Sequence, residues 1–290
     1  MLRLSKGRKA SFEALRCLSV IATAFGIAIF AAILAFVLVR GAGALSFDFL
    51  VGEYGEKPSI LPAILGTLQL VLVSILIALP IGIGTAVFLS EYTQNSSKPA
   101  KFIRLCVETL ASIPSIVYGI FGYLVFVVGF SIGDVKFFGW GYSLLGGGLT
   151  LAIMILPLIV KSTEEALREV PNSLREASFA LGAGKAKTVF SVVLPSAAPG
   201  ILTSVILSIG RIVSESAVLL LTVGMVVNLV PTGPMSSGTS LALDVYYFST
   251  YGYAKEAGAA SFVLMVLVLA LNVLAYVLMW LLKGKRHGNE

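Results

Sequence analysis

The sequence predicts an all-α membrane protein with six transmembrane helices. Of its 290 residues, 57% are hydrophobic and 12% are charged, whereas about a quarter of a soluble domain is charged. Leu, Val and Ile occur in runs rather than in strict alternation, which favours helices over a lipid-facing β-barrel. Six runs are long enough to cross a bilayer core of roughly 30 Å. They occupy about 17–39, 62–89, 106–130, 143–160, 197–223 and 259–282.

The first run is predicted to be an uncleaved helix. Residues 42–44 (Ala-Gly-Ala) imitate a signal-peptide cleavage site, but an apolar core of about 23 residues exceeds the 7–15 that such a peptide carries. Five further runs follow. Because no internal repeat or low-complexity linker divides the chain, we expect 1–290 to form a single membrane domain, with a permease core at about 60–285.

The distribution of Lys and Arg predicts the orientation. If the N-terminus is cytoplasmic, 16 of the 21 basic residues lie inside. Cytoplasmic loops of membrane proteins are rich in basic residues, so both termini and the segments 90–105 and 161–195 are predicted to be cytoplasmic. The inside residues are Arg3, Lys6, Arg8, Lys9, Arg16, Lys98, Lys101, Arg104, Lys161, Arg168, Arg175, Lys185, Lys187, Lys283, Lys285 and Arg286, and the outside residues are Arg40, Lys57, Lys136 and Lys255. The net charge of +6 therefore reflects topology and does not indicate nucleic-acid binding.

Pro114 predicts a kink in the third run. A proline removes one helical hydrogen bond, and the hydroxyl groups of Ser112 and Ser115 are placed to satisfy the freed carbonyl groups. Small residues, Gly119 and Gly122, follow the kink. We predict that Pro114 and Ser115 mark a gate.

The polar segment 161–195 is predicted to form two short helices outside the bilayer. Ser162-x-x-Glu165 and Ser173-x-x-Glu176 both match the capping box, in which a hydroxyl and a carboxylate satisfy amide groups at a helix start. Each pattern therefore predicts a helix start.

The second of these helices is predicted to be amphipathic. Pro171 should separate it from the first, and Gly182 supplies the left-handed residue that ends it. Its small apolar face follows i, i+3, i+4, i+7 spacing. That face consists of Leu174, Ala177, Ser178 and Leu181. An ordinary solvated loop is the alternative interpretation.

The residue types needed for catalysis or cofactor binding are sparse. The only histidine, His287, lies in the C-terminal tail, which argues against histidine-based catalysis within the membrane. Residues 182–185 (Gly-Ala-Gly-Lys) differ from a phosphate-binding loop, since Phe179 replaces the first glycine and Ala186 the Ser or Thr. We expect no catalytic residue, metal site or cofactor in this chain.

Arg211 and Glu215 lie in the middle of the fifth run, four residues apart and thus on one helical face. An Arg at the centre of a membrane helix costs about 2.5–3.5 kcal/mol, so both side chains should face the protein or a wet pathway. An arginine there can bind phosphate oxygens in a bidentate manner. The alternative is a structural ion pair, and position alone does not choose between the two.

Residues 176–195 resemble the signature of membrane subunits of ATP-binding-cassette (ABC) importers. That signature reads E-A-A, three residues, G, nine residues, I-x-L-P, and here Ser178 replaces the second Ala and Val192 replaces the Ile. The resemblance implies a type I importer permease with the MetI-like fold and a coupling region at about 163–184. It assigns ATPase coupling to Glu176, Ala177, Gly182, Leu194 and Pro195.

Three further segments resemble the phosphate-specific branch of this family. Residues 210–217 (Gly-Arg-Ile-Val-Ser-Glu-Ser-Ala) are similar to G-R-A-x-G-E-T-A, and 110–119 (Leu-Ala-Ser-Ile-Pro-Ser-Ile-Val-Tyr-Gly) to L-A-x-V-P-S-I-V-Y-G. Residues 162–171 (Ser-Thr-Glu-Glu-Ala-Leu-Arg-Glu-Val-Pro) resemble T-T-E-E-A-L-x-x-V-P of PstA-type subunits in particular. The resemblance implies that Arg211 and Glu215 line the path of inorganic phosphate.

The same resemblance implies the partners. These are a homologous PstC-type permease, a dimer of PstB-type ATPase subunits that binds ATP and Mg²⁺, and an extracytoplasmic PstS-type phosphate-binding protein. A prokaryotic plasma membrane is implied as the location. Aromatic residues at 246–253 either form an interfacial belt or line the surface where the binding protein docks.

Two alternative functions stay open at this level. A permease of the same architecture for another oxyanion, such as phosphonate, sulfate or molybdate, would share most of these features. A channel or secondary transporter would explain six helices and a buried charge pair, but it would not need the coupling signature.

Overall fold

The structure is a computed structural model that describes residues 6–52, 55, 58–93, 97–133 and 135–284. Its helices are α1 (Lys6–Ala42), α2 (Phe47–Val51), α3 (Leu61–Val87), α4 (Lys98–Ser112), α5 (Ser115–Gly122), α6 (Leu144–Glu169), α7 (Asn172–Ala180), α8 (Lys185–Thr188), α9 (Leu194–Ser214), α10 (Ala217–Thr222), α11 (Leu241–Thr250) and α12 (Ala254–Gly284). Three π-helical turns, Phe88–Tyr92, Tyr123–Val128 and Val189–Val193, follow α3, α5 and α8. Arg3, Lys57, Lys285, Arg286 and His287 lie outside the described residues.

Five helical segments of the described chain are long and apolar enough to span a membrane. They are Phe12–Ala42, Leu61–Tyr92, Leu144–Glu169, Lys185–Ser214 and Ala254–Val277. A sixth crossing is made only if α4 and the segment Ser115–Val128 count as one span, because they meet at an angle of 100°. The all-α membrane fold is confirmed, but the third run is a sharply broken span rather than a kinked helix.

Helix α6 is the centre of the bundle, since two thirds of its most apolar stretch is buried, whereas none of the corresponding stretch of α1 is. It packs closely on α3, where the Ser74 hydroxyl donates to the Gly148 carbonyl at 3.0 Å. At Gly82 of α3 an added Cβ would lie 2.5 Å from Cγ2 of Ile159, so only glycine fits this crossing. The core around this contact includes Leu70, Leu151, Ile155, Ile159 and Ile212.

The predicted helix start at Ser162 is wrong, because α6 continues without a break to Glu169. Thr163, Glu164, Ala166 and Leu167 are all buried, so packing against neighbouring helices continues the helix past the end of the apolar run. The predicted coupling region therefore begins within α6. The separation at Pro171 is confirmed, since this residue precedes α7.

The bundle has two ends, which we call the α7 end and the α11 end. At the α11 end, a short antiparallel hairpin pairs Phe130–Ile132 with Val135–Phe137. The loop before α11 covers the start of α6, where the backbone amides of Leu144 and Leu145 donate to the carbonyls of Ser236 and Pro234.

A buried carboxyl group also lies at the α11 end. Oδ1 of Asp244 accepts a hydrogen bond of 2.6 Å from the Thr239 hydroxyl, while Oδ2 is buried without a partner in the described chain. Burial raises the pKa of Asp244 from 3.8 to about 7, and the hydrogen bond from Thr239 opposes this shift in part. We therefore expect the stability of the α11 end to depend on the protonation of Asp244.

Candidate functional site

Helix α7 carries apolar side chains that are exposed in the described structure. None of its residues is buried, and Leu174 and Phe179 are 41% and 47% exposed. Leu181, which follows α7, is 89% exposed. Grouped apolar side chains with this exposure mark interaction surfaces. The predicted amphipathic helix is present. Leu174, Ala177 and Leu181 of its predicted apolar face are exposed, whereas Ser178 is half-buried and its hydroxyl lies 2.9 Å from that of Thr188.

The ends of α7 agree with the sequence only in part. Gly182 has a φ of +80°, and its amide donates to the Phe179 carbonyl at 2.9 Å, so the predicted left-handed end is confirmed. The capping box is wrong, because α7 begins at Asn172 and no side chain caps it. Glu176 is consequently exposed and, within the described residues, forms no hydrogen bond or ion pair.

The two halves of the predicted coupling signature lie in different environments. Glu176 and Ala177 are exposed on α7, whereas Leu194 and Pro195 are half-buried at the start of α9. Leu194 packs against a buried cluster formed by the ends of several spans. The structure therefore places Leu194 where it supports the α7 end of the bundle rather than on its accessible surface.

The fifth predicted run is broken at Glu215, so Arg211 and Glu215 do not share a helical face. Helix α9 ends at Ser214, whose hydroxyl donates to the Gly210 carbonyl at 2.9 Å, and Glu215 is extended. Oε1 of Glu215 accepts from the amide of Val218 at 3.3 Å and so begins α10. Side-chain hydrogen bonds to the backbone compete with the helix here. An ion pair between Arg211 and Glu215 is not formed, and the four-residue spacing was misleading.

The second break lies at the predicted gate. Helix α4 ends at Ser112, and Pro114 directly precedes α5. The Ser112 hydroxyl donates to the Thr109 carbonyl at 2.7 Å, whereas no side-chain hydrogen bond of Ser115 occurs in the described structure. The Leu110 carbonyl instead accepts from the hydroxyl of Tyr118 at 2.7 Å, a partner that the sequence reasoning missed.

These two breaks adjoin each other. At Gly119 of α5 an added Cβ would lie 3.1 Å from Cα of Val218 and 3.2 Å from the Ala217 carbonyl oxygen, so α5 packs on the first turn of α10. Irregular backbone within a membrane protein is tolerated where it is buried or lines a wet cavity. Arg211, in the last turn of α9, therefore lies close to the junction of α9 and α10, and α5 packs on the α10 side of that junction.

A second polar cluster at the α7 end was also missed by the sequence reasoning. Oε1 of Glu164 accepts from Nη2 of Arg104 at 2.9 Å and from Nη2 of Arg168 at 2.6 Å. This cluster borders a cleft of about 280 Å³ between α4 and α6 that Lys161 also lines. The signal available in the sequence was one Arg in α4 and a pair of carboxylates, Glu164 and Glu165, at the end of the next span.

A third polar group joins α7 to the bundle. Arg175 forms an ion pair with Glu91, with 2.7 Å between Nη2 and Oε1. Both side chains are largely withdrawn from solvent, at 16% and 9% exposed. Arg175 precedes Glu176 in a polar segment, and Glu91 follows the end of the second run. In the sequence both resemble ordinary surface charges, so no ion pair between them was predicted.

The fold and its polar end define a class, that of multi-span membrane permeases with an accessible helix at one end. Residues 78–286 match the family described as binding-protein-dependent transport system inner membrane component, and the chain belongs to that family. The protein named Probable ABC transporter permease protein YqgI, from Bacillus subtilis, is 36% identical over 86% of this chain and 88% of its own length.

Two further comparisons agree with this membership. The protein named phosphate transport system permease protein PstA, from Pasteurella multocida, is 34% identical over 92% of this chain and 94% of its own. A chain of a bacterial alginate ABC transporter, crystallised with an alginate pentasaccharide-bound periplasmic protein, is similar in fold with a TM-score of 0.66 at 17% identity, covering 94% of this chain and 96% of that one. The predicted ABC importer permease fold is thereby confirmed.

Proposed function

We propose that this chain is the membrane-spanning permease subunit of an ATP-driven importer of inorganic phosphate and forms half of the translocation pathway. The name of the Pasteurella multocida relative supports phosphate as the solute, since that protein aligns with nearly the whole chain. The observation that carries the proposal is the position of Arg211. Its guanidinium group forms no ion pair within the described residues, and it lies in the last turn of α9, directly before the break that precedes α10.

Arg211 supplies the group that meets the anion. A guanidinium group donates two parallel hydrogen bonds to a phosphate, and its charge is not lost at neutral pH. Keeping an arginine within a span is costly unless it serves a pathway or a partner. Glu215 lies directly after the end of α9, and its carboxylate opposes a second negative charge nearby. We assign it the role of keeping the binding of phosphate weak enough for release.

Helix α7 is the coupling helix in this proposal. A groove on the ATPase subunit receives the exposed face that includes Glu176 and Ala177, and Gly182 fixes the end of that face. ATP and Mg²⁺ bind to a dimer of PstB-type ATPase subunits, and this chain contributes no catalytic residue, cofactor site or metal ligand of its own. Leu194 and Pro195 support the helix from within the bundle.

The remaining parts follow from this arrangement. A homologous PstC-type permease closes the other half of the pathway, and a phosphate-loaded PstS-type binding protein docks at the α11 end. The α7 end and both chain termini are cytoplasmic, in the plasma membrane of a prokaryote, with the whole chain acting as one membrane domain. Pro114 and Ser115, at the 100° break, form the gate whose angle changes as access alternates.

Uptake of radiolabelled phosphate into vesicles that contain the whole complex tests the proposal. Wild type should take up phosphate only with ATP, and excess sulfate should not compete. Glu176→Lys should lose both uptake and the attached ATPase, because it reverses the charge on the docking face. Arg211→Gln should retain the ATPase and lose uptake. Uptake of labelled sulfate in place of phosphate would show that the substrate is another oxyanion, and uptake without ATP would exclude the coupled mechanism.

A further inference from the structure

The guanidinium group of Arg175 connects α7 with two spanning segments at once. Its Nη2 atom donates to Oε1 of Glu91 at 2.7 Å and to the Leu167 carbonyl at 2.9 Å, and Nε lies 3.4 Å from Oε2 of Glu91. Its Nη1 atom donates to the Val170 carbonyl at 2.7 Å and to Oδ1 of Asn172 at 3.3 Å. Glu91 belongs to the π-helical turn after α3, and Leu167 and Val170 lie at the end of α6.

Few other contacts hold α7 in place. Helix α7 buries none of its residues. Apart from Arg175, its side-chain hydrogen bond to the rest of the described chain joins the hydroxyl groups of Ser178 and Thr188, 2.9 Å apart, and so leads only to α8. Within the described residues, the hydrogen bonds that join α7 to the end of α6 and to the π-helical turn after α3 are therefore those of Arg175.

The environment makes this connection firm. The side chains of Arg175 and Glu91 are 16% and 9% exposed, so water competes little for either charge. The last carbonyl groups of a helix lack partners within that helix and carry partial negative charge, which a cation stabilises. Arg175 satisfies two such groups and a carboxylate together. A lysine has no planar fork and cannot reproduce this set of bonds.

Arg175 joins the end of α6 to the turn that follows α3, and α3 and α6 pack closely against each other. Gly82 of α3 lies against Ile159 of α6, and Ser74 donates to Gly148 further along the same pair. A displacement of Glu91 together with the Leu167 carbonyl would therefore move α3 and α6 as one unit. Packed cores respond to such displacements by discrete shifts rather than by bending.

We propose that Arg175 is a positioning residue that transmits the movement of α7 to α3 and α6, with Glu91 as its partner. The inference rests on the proposed role of α7 as the coupling helix. The exposed face of α7 that includes Glu176 and Ala177 binds the ATPase. When the ATPase moves α7, the ion pair between Arg175 and Glu91 transmits that movement to the centre of the bundle. Without this ion pair, α7 still binds the ATPase and ATP is still hydrolysed, but opening of the pathway is no longer coordinated with ATP hydrolysis.

The test measures phosphate uptake and ATP hydrolysis in the same vesicles, for wild type, Arg175→Ala, Arg175→Lys and Glu91→Gln. We expect uptake per ATP hydrolysed to fall about tenfold in Arg175→Ala, a coupling loss of the usual size for linked sites. Glu91→Gln keeps an acceptor but loses the charge, so it should lie between wild type and Arg175→Ala. Lys187→Gln is the matched control, since Lys187 is an exposed basic residue of the same segment without an ion pair in the described chain.

The outcomes separate the two proposals. If wild type does not transport phosphate with ATP, the proposed function fails before the variants are compared. If wild type transports phosphate and uptake per ATP is unchanged in Arg175→Ala and Glu91→Gln, Arg175 is not the transmitting residue. If the variants lose uptake only in proportion to lost ATPase attachment, the role of Arg175 is structural and the inference is overturned. Partial recovery in Arg175→Lys with intact attachment supports it.

Discussion

Glu164→Ala is expected to destabilise the α7 end of the bundle. The Glu164 carboxylate is shared by Arg104 of α4 and Arg168 of α6, with contacts of 2.9 and 2.6 Å. Glu164 itself is 8% exposed. The substitution removes the carboxylate that joins these two guanidinium groups, while Nη2 of Arg104 keeps its hydrogen bond of 3.2 Å to the Leu89 carbonyl.

The expected loss follows from the exposure of the two partners. Breaking an interior ion pair costs about 3–5 kcal/mol, because a charge is left without compensation. The Arg104 side chain is 22% exposed and Arg168 is 53% exposed, so water compensates much of this loss. Arg168 should contribute no more than a surface pair, below about 1 kcal/mol. We therefore expect about 2 kcal/mol in total, which lowers Tm by roughly 5 °C for a domain of this size.

Thermal denaturation of the purified complex in lipid nanodiscs measures this effect. Glu165→Ala is the matched control, because Glu165 is the adjacent carboxylate, is exposed and makes no ion pair in the described structure. The control should melt close to wild type, as surface substitutions do. If Glu164→Ala and Glu165→Ala melt at the same temperature, the shared carboxylate does not stabilise the bundle and the reasoning is refuted.

Three further substitutions test the packing and the electrostatics. Because burial favours the protonated form of Asp244, the stability of the wild type should fall as the pH rises from about 4 to 7. The Tm of Asp244→Asn should therefore exceed that of wild type at pH 8 but not at pH 4. Equal Tm values at pH 8 would contradict this. Gly82→Ala should destabilise the protein by about 1–3 kcal/mol, because the added methyl group overlaps Ile159. Gly84→Ala meets open space and should stabilise α3 by up to about 1 kcal/mol. Changes in stability of the same sign for both variants would contradict the described packing of α3 on α6. Ser143→Ala removes the cap of α6 and should lower stability in urea titrations by about 1–2 kcal/mol, and no change would show that the cap is dispensable.

Much of the fold was predictable because its signal is local. An apolar run of about 20 residues has one stable solution in a bilayer, so four of the six predicted spans correspond to single helices of the structure, and the fifth does so as far as Ser214. The left-handed end at Gly182 and the separation at Pro171 were also predictable, since each depends on the backbone preferences of a single residue.

The rest depends on contacts that periodicity does not report. Spacing placed Arg211 and Glu215 on one face, but hydrogen bonds of Ser214 and Glu215 to the backbone end the helix between them. Packing also continued α6 past the apparent capping box at Ser162. Arg175 and Glu91 are 84 positions apart in the sequence. Over that separation the sequence alone does not determine which residues of two helices lie opposite each other.

The most direct test of the central claim is a count of phosphate taken up by vesicles that contain this chain, its sister permease, the ATPase and the binding protein, with ATP or with a non-hydrolysable ATP analogue. The account predicts that labelled phosphate accumulates against its gradient with ATP and does not accumulate with the analogue. Equal phosphate entry under both conditions would contradict it, because a channel or secondary transporter needs no ATP hydrolysis.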